Sequence, residues 1–348
     1  MNTKEICETM KITPKALRVY ERAGLICPLR EKNNYRNYSE EDTLRLREIC
    51  ILKEMGFSIS DIKTLINKNK AIGSSHPFIR SLYFQFKIIN NKIDELGNIA
   101  TTLKNSIHSI LNSKPEDNCK QYSKILDCLE RNKIQRQEWI DRWDFDQLAS
   151  TYDTMICSKG ELNVFQDYEE VLEKVRSIIT TPNSKKILDI GCGTGNLCGD
   201  LSNELEVVGI DQSIEMLLTA RDKYPKMKLQ LGNFLDKPYC SNHFDIVVST
   251  YAFHHLKPQE KSIAIRYMTE YLTEHGKIVI ADLMFLNEEA RNRCQQTFCE
   301  RKREDLWSII ADEYYTVITD LEKAVKREGL SFHYEYLVNF TWLIVIEK

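Results

Sequence analysis

The sequence predicts a multidomain chain of three parts: an all-α winged helix-turn-helix, a long coiled-coil helix, and an α/β doubly wound, Rossmann-like domain. Three observations carry this. A helix start at Thr13-Pro14 follows a short preceding helix and leads into a basic, aromatic hairpin. A heptad seam runs without a slip from Leu82 to Ile110. From Lys185 onward, apolar strand-like runs alternate with helical ones, the pattern of a mainly parallel sheet covered on both faces. A length of 348 residues also exceeds the size at which one hydrophobic core stops growing. The expected parts are residues 1–70, 78–112, a helical linker over 115–143, and 144–348.

In the first part, Thr3 is placed to cap a short helix through Thr9, and Pro14 takes the favoured first position of a second helix capped by Thr13. That second helix carries Lys15, Arg18 and Tyr20 before Gly24 ends it, a helix-turn-helix arrangement that fits a DNA major groove. Next, Arg30-Glu31-Lys32-Asn33-Asn34-Tyr35-Arg36-Asn37-Tyr38 reads as a hairpin that would lay Tyr35, Arg36 and Tyr38 along a phosphate backbone. Helices over about Glu40 to Met55 and Ser60 to Asn67 complete a small core. Residues 1 to 70 hold 14 Lys plus Arg against 10 Asp plus Glu, a net of +4, so of the overall −3 the remainder carries −7. The sign change suits a polyanion partner for the N-terminal part alone.

These residues resemble the MerR family of transcriptional regulators. The motifs are Leu17-Arg18-Val19-Tyr20-Glu21-Arg22-Ala23-Gly24-Leu25-Ile26, then Tyr35-Arg36-Asn37-Tyr38, then Gly56-Phe57-Ser58-Ile59-Ser60-Asp61-Ile62. Two positions depart from the family pattern, Val19 for a Tyr and Asn34 for a Gly. The resemblance implies a dimer that binds and distorts a two-fold symmetric promoter site, with Thr13, Lys15, Arg18, Tyr20, Tyr35, Arg36 and Tyr38 at the DNA.

The second part is a seam of Leu82, Phe86, Ile89, Ile93, Leu96, Ala100, Leu103, Ile107 and Ile110, spaced alternately four and three residues apart. Such a seam marks a coiled coil, against the plainer reading of an amphipathic helix packed on its own domain. MerR-like regulators dimerise through a long helix here, so a homodimer through residues 82–110 is expected. Ser113-Lys114-Pro115-Glu116-Asp117 then breaks this helix and caps another running to about Trp143. Cys119 with Cys128, and Cys294 with Cys299, have spacings that put neither pair on one helical face, and no metal site is expected. The eleven cysteines are read as reduced thiols.

In the third part, strands are expected near Lys186 to Ile190, Glu206 to Ile210, Lys228 to Leu231, Phe244 to Ser249 and Lys277 to Ala281, with a closing antiparallel pair over Phe332 to Val338 and Thr341 to Ile346. Gly191, Gly193 and Gly195 let the backbone turn sharply after the first strand and approach a ligand closely. Asp211, ending the second strand, is placed to accept both hydroxyls of a ribose. The Gly-x-Gly-x-Gly spacing differs from the dinucleotide fingerprint, and no Lys-Ser or Lys-Thr pair follows to grip a nucleotide phosphate.

Taken together, Leu188-Asp189-Ile190-Gly191-Cys192-Gly193-Thr194-Gly195, Gly209-Ile210-Asp211-Gln212-Ser213, Gly232-Asn233-Phe234 and Phe244-Asp245-Ile246-Val247-Val248-Ser249 resemble the class I S-adenosylmethionine-dependent methyltransferases. Phe145 to Asp153 is similar to a lid segment of their small-molecule branch. The resemblance implies S-adenosyl-L-methionine as cofactor, with Gly191, Gly193 and Gly195 bordering its methionine and ribose portions and Asp211 holding the ribose. It further implies Gln212 and Met216 flanking the adenine, Asn233 and Phe234 on its edge and face, and Ser249 with Tyr251 beside the sulfonium. Tyr152 belongs to the same set through the lid, and Asp189 as an organiser of the glycine loop.

Methyl transfer to a ready nucleophile needs mainly alignment, whereas a hydroxyl acceptor needs a base. His254 and His255 are placed for that role, and equally for packing or loop anchoring. Over Asn287 to Asp320, Arg291, Arg293, Arg301, Lys302 and Arg303 mix with Phe298, Trp307, Tyr314 and Tyr315. These suit a grip on an acidic or aromatic substrate, or simply a solvated face over a core. No stretch is apolar and long enough to cross a bilayer and the N-terminus lacks a secretory pattern, so the expected address is the cytoplasm.

The sequence thus reads as a DNA-binding regulator joined to a methyltransferase acting on a small molecule, its ligand modulating promoter distortion. The alternative is a non-catalytic sensor of the cofactor or of a metabolite. Methylation of nucleic acid is disfavoured, since no Asn-Pro-Pro-Tyr-like or Pro-Cys motif follows the fourth strand.

Overall fold

The structure is a computed structural model that describes residues 1–30, 35–54, 56–60, 62, 63, 66, 77–112, 145–158 and 160–348. It divides into two compact units, Met1–Ile140 and Asp141–Lys348.

In the first unit, α1 (Thr3–Met10) is capped by Asn2, not by Thr3. The Asn2 side chain accepts from the Lys4 and Glu5 amides, and Glu5 accepts the Asn2 amide in return, a capping box that satisfies otherwise orphaned donors. α2 (Pro14–Arg22) begins as expected, the Thr13 hydroxyl accepting from the Ala16 amide at 3.1 Å. Strands β1 (Leu29–Arg30) and β2 (Arg36–Asn37) pair antiparallel as the wing. α3 (Glu40–Glu54) follows, and residues 59, 60, 62, 63 and 66 are helical within the segment expected as the fourth helix. Ile6, Leu17, Leu46, Ile49, Leu52 and Ile62 meet in a fully buried core.

The next helix, α4 (Pro77–Asn112), spans 36 residues, about 54 Å at the usual rise. Ile88 packs on the small core, while the heptad residues Leu82, Phe86, Ile93, Leu96, Leu103 and Ile107 are exposed in the single chain, Ile93 by 59%. The helix expected over 115–143, with Cys119 and Cys128, lies outside the described residues.

The second unit opens with α5 (Phe145–Leu148), α6 (Tyr152–Ile156) and α7 (Tyr168–Ile179). Its sheet comprises β3 (Lys186–Ile190), β4 (Glu206–Asp211), β5 (Lys228–Leu231), β6 (Phe244–Thr250), β7 (Leu272–Phe285), β8 (Thr316–Val317), β9 (Ser331–Val338) and β10 (Thr341–Glu347). The order is β5-β4-β3-β6-β7-β10-β9, with short β8 also on β7. Pairings are parallel from β5 to β7 and antiparallel around β10, so the closing pair forms one edge as expected. β7 outruns its expected span because β10 pairs with it from Lys277 to Leu283. Helices α8 (Ile214–Lys223), α9 (Pro258–Tyr271), α10 (Glu288–Glu300), α11 (Glu304–Asp312) and α12 (Ile318–Arg327) complete the unit. The segment expected to be helical to Asp320 is therefore interrupted by strand β8. Two apolar clusters are buried against the sheet, one centred on Leu188, Val247, Ile278 and Ile344, the other on Ile187, Val248, Val279 and Leu343. Successive strand residues alternate between them, as the period of two requires. From β3 the chain winds outward one way to β4 and β5, then returns to β6 and β7 on the other side. The carboxyl ends of β3 and β6 are the switch point where open sheets of this kind hold ligands.

Candidate functional site

The glycine loop leaves β3 at that switch point. Gly191, Gly193 and Gly195 all have left-handed backbone, with φ of 76°, 52° and 84°. A Cβ on Gly191 would stand 2.3 Å from the Ala252 Cβ, whereas one on Gly193 would meet nothing within 4 Å. The first glycine therefore serves close packing and the second borders open space, a cradle that a ligand can enter.

Asp211, at the end of β4, accepts the Gly193 amide on Oδ2 and the Ser213 amide on Oδ1, both at 2.9 Å. Burial pushes its pKa up to about 6 against the pull of those amides. Each carboxylate oxygen keeps a second lone pair for a ligand hydroxyl. Asp189 is 1% exposed, and neither of its oxygens has a hydrogen-bond partner among the described residues. Burial and the neighbouring Asp211 push it up to about 7, while the Cys198 thiol opposes the shift. The Ser249 hydroxyl is likewise buried and without a partner.

An aromatic group closes over this apex. Tyr168 stacks on Tyr251 at 5.5 Å, Phe165 meets Tyr251 edge-on at 5.3 Å, and Tyr152 meets Phe165 at 6.4 Å. Burial raises the Tyr152 pKa well above its ordinary value, with Tyr168, Asp211, Asp153 and Tyr251 adding in the same direction. Tyr251 itself has φ of 51°, a conformation costly for an aromatic residue and common where a functional site demands it. Its hydroxyl lies 3.3 Å from that of Thr341.

A clasp that the sequence did not announce fastens the lid helix α6 to the loop. The Asp153 carboxylate accepts from the Thr194 hydroxyl (2.6 Å), the Asn196 amide (3.0 Å) and Lys223 Nζ (2.7 Å), and Lys223 also donates to Asn196 Oδ1 at 2.6 Å. Asp146 in α5 accepts from the Ser213 hydroxyl at 2.7 Å, tying that helix to the turn after Asp211. These residues are remote in sequence, so no spacing rule could have paired them.

Of the other expected site residues, Met216 is buried in α8, Gln212 is exposed, and Phe234 lies beneath Gly191 and edge-on to Phe253. Asn233 is exposed, and its side-chain carbonyl accepts the Leu235 amide, which fixes the turn after β5. His254 and His255 lie on the 3-10 turn after β6. His254 Nδ1 faces Asp282 Oδ1 at 2.5 Å, and Nε2 lies 3.0 Å from Glu313 Oε2. Burial works against the charged form of His254, but Asp282 and Glu313 prevail and push its pKa up to about 9. His255 is held well below its usual range by burial, His254 and Lys261.

In the first unit, Thr13, Lys15 and Arg18 are exposed on α2, and Tyr35 is 72% exposed on the wing. Two expected contacts are corrected. Tyr20 and Tyr38 are core residues, Tyr38 only 2% exposed, with its hydroxyl donating to Glu21 Oε1 at 2.6 Å. Arg36 Nε donates to Glu21 Oε2 at 3.0 Å and is half-buried. A tyrosine holding the wing to α2 cannot also lie along a phosphate backbone without leaving its core.

Comparison with known proteins decides the family. An uncharacterized methyltransferase of Alkaliphilus oremlandii is 35% identical over 207 residues, 59% of this chain and 95% of its own length. The chain belongs to the methyltransferases. A second methyltransferase, from Bacillus cereus, is 35% identical over 210 residues and 96% of its length. The family model described as a methyltransferase domain matches residues 187–276 of this methyltransferase. The model of the MerR helix-turn-helix regulatory proteins matches residues 1–69, so it carries an N-terminal MerR domain. A TehB-like SAM-dependent methyltransferase from Corynebacterium glutamicum superposes at a TM-score of 0.38, with 19% identity, over 51% of this chain and 85% of that one. The open cradle at Gly193, the spare acceptor capacity of Asp211 and the unpartnered Ser249 hydroxyl fit S-adenosylmethionine, whose ribose, amine and carboxylate need such groups.

Proposed function

We propose that the chain is a DNA-binding regulator whose C-terminal domain transfers a methyl group from S-adenosylmethionine to a small molecule. The observation that carries the small-molecule reading is the roof of Tyr152, Phe165, Tyr168 and Tyr251 over the switch point, clasped through Asp153. A roofed site admits a compact acceptor and excludes water, and alignment inside it supplies most of the catalysis.

In this reading Gly191, Gly193 and Gly195 border the methionine and ribose of the cofactor, and Asp211 holds the ribose hydroxyls. Gln212, Met216, Asn233 and Phe234 surround the adenine, Asp189 organises the loop, and Tyr152, Ser249 and Tyr251 lie toward the methyl group. The cofactor supplies an electrophilic methyl. The protein aligns the acceptor with it and excludes competing water.

Thr13, Lys15, Arg18, Tyr35 and Arg36 form the DNA-reading surface. The chain pairs with a second copy through the exposed seam of α4, since a row of exposed Leu, Ile and Phe at heptad spacing is satisfied by a like row. The paired readers then meet a two-fold promoter site, and ligand binding modulates its distortion.

Purified full-length protein incubated with methyl-labelled S-adenosylmethionine and a metabolite extract tests the enzyme. Label in a small molecule supports it, and cofactor binding without turnover replaces it with a sensor. A mobility shift on the upstream DNA of its own gene, with and without the cofactor, tests the regulatory half. Ultracentrifugation of Ile93→Lys tests the dimer, which the substitution should dissociate.

A further inference from the structure

We propose that His254, His255 and Glu313 hold one divalent transition-metal ion, and that this ion activates a hydroxyl- or thiol-bearing methyl acceptor. The second clause rests on the methyltransferase reading above, and the first does not.

The chain brings three ligating groups together from two places. The turn after β6 presents His254 and His255 in succession, and Glu313 arrives at the carboxyl end of α11. Their donor atoms all lie within 4.8 Å of one another. Glu313 Oε2 is 3.0 Å from His254 Nε2 and 3.4 Å from His255 Nδ1. Two ligands at about 2.1 Å from an ion, subtending octahedral to tetrahedral angles, stand about 3.0 to 3.4 Å apart. Glu313 Oε2 is buried and, despite that proximity, makes no hydrogen bond among the described residues.

Behind the cluster stands the partner that metal-bound histidines use. Asp282 is fully buried on β7, its Oδ1 is 2.5 Å from His254 Nδ1, and it accepts the His254 amide on Oδ2 at 2.8 Å and the Leu283 amide on Oδ1 at 2.7 Å. A carboxylate anchored in this way keeps a proton on Nδ1, so Nε2, which faces Glu313, is the nitrogen that an ion would take by displacing the proton there. Two imidazoles and one carboxylate form a donor set for zinc, iron(II) or cobalt, and three protein ligands leave a coordination position open.

The cluster stands on the turn after β6, at the end of the sheet where methyl transfer is proposed. His254 follows Tyr251 by three residues, and the ring of Phe145, from the lid region, meets that of His255 at 5.2 Å. An acceptor O–H or S–H bound there loses its proton to water, because the ion lowers its pKa. Its lone pair then forms the bond to the methyl carbon as the carbon–sulfur bond breaks, with that electron pair passing to sulfur.

The test is titration of the metal-stripped full-length chain with Co²⁺, read by its visible d–d bands, followed by displacement with Zn²⁺. Wild type should bind one equivalent with nitrogen–oxygen ligation, with or without S-adenosylmethionine. Glu313→Gln and His255→Ala should each weaken binding at least about tenfold while melting cooperatively. Wild-type Co²⁺ binding that is absent, or unchanged in both variants, overturns the site. If the site stands but chelation leaves methyl transfer unchanged, the activating role is overturned. S-adenosylmethionine binding by calorimetry, independent of metal, separates either failure from failure of the methyltransferase reading.

Discussion

Lys223 Nζ donates to the Asp153 carboxylate at 2.7 Å across 70 residues of sequence, joining the end of α8 to the lid helix. Asp153 receives two further donors from the glycine loop, so the lid, the loop and the helix after Asp211 close on one carboxylate. The Asp153 pKa is held below its usual range by Lys223, Thr194 and Asn196, against the opposing effect of burial. The ionised carboxylate is therefore the form that fastens the lid.

Breaking this clasp should weaken cofactor binding by unequal amounts. The Lys223 pair is partly exposed and worth under about 1 kcal/mol, so Lys223→Ala should raise the S-adenosylmethionine Kd by about threefold. Asp153→Ala removes the acceptor of all three donors and should cost about tenfold or more. Calorimetric titration measures both, and equal effects would contradict the geometry.

Asp211→Ala should lower cofactor affinity by roughly 10- to 100-fold, the worth of one or two hydrogen bonds to a charged group. Asp211→Asn should fall between, since it keeps an acceptor and loses the charge. An unchanged Kd in the alanine variant would remove the ribose from this residue.

The buried Asp189 gives a pH signature. Its folded pKa, about 7, is above the unfolded value, so its contribution is fully present below the unfolded pKa and is lost as pH rises through about 7. The cofactor-free protein should accordingly lose stability between about pH 4 and 7, by on the order of 4 kcal/mol from this group. Asp189→Asn should flatten that slope and raise the Tm at pH 8. Melting curves of both proteins across that range decide it.

Gly191→Ala should destabilise the second unit by several kcal/mol, because the new methyl meets the Ala252 Cβ at 2.3 Å and the residue keeps φ of 76°. Gly193→Ala meets open space, pays only the left-handed backbone cost of about 1 kcal/mol, and should act mainly on cofactor binding. Thermal melts and Kd values should separate the two.

In the first unit, Tyr38→Phe removes the hydroxyl bonded to Glu21 and should cost about 1 kcal/mol of stability while leaving DNA affinity nearly unchanged. Arg18→Ala should do the reverse. A mobility shift lost in Tyr38→Phe but kept in Arg18→Ala would invert the assignment of surface and core.

Much of this protein was legible because its signals are local. The Thr13-Pro14 helix start, the strands from Lys186 to Leu231 and the left-handed glycines after β3 depend on neighbours within a few residues, where backbone preference and hydrophobic period act. Tyr20 and Tyr38 were misplaced for the converse reason. Composition assigns an aromatic residue beside arginines to a surface, and only the packing of wing against α2 shows that these rings fill the small core.

By itself, the sequence determined the two kinds of unit, the order of the main elements and the position of the glycine loop, all of which follow from short-range sterics and periodicity. Only the tertiary structure decided which distant polar groups meet: Asp153 with Lys223, Glu21 with Tyr38, and His254 with Asp282 and Glu313. Charge and hydrogen bonding act through space, and contacts separated by 17 to 70 residues leave no period in the chain to read.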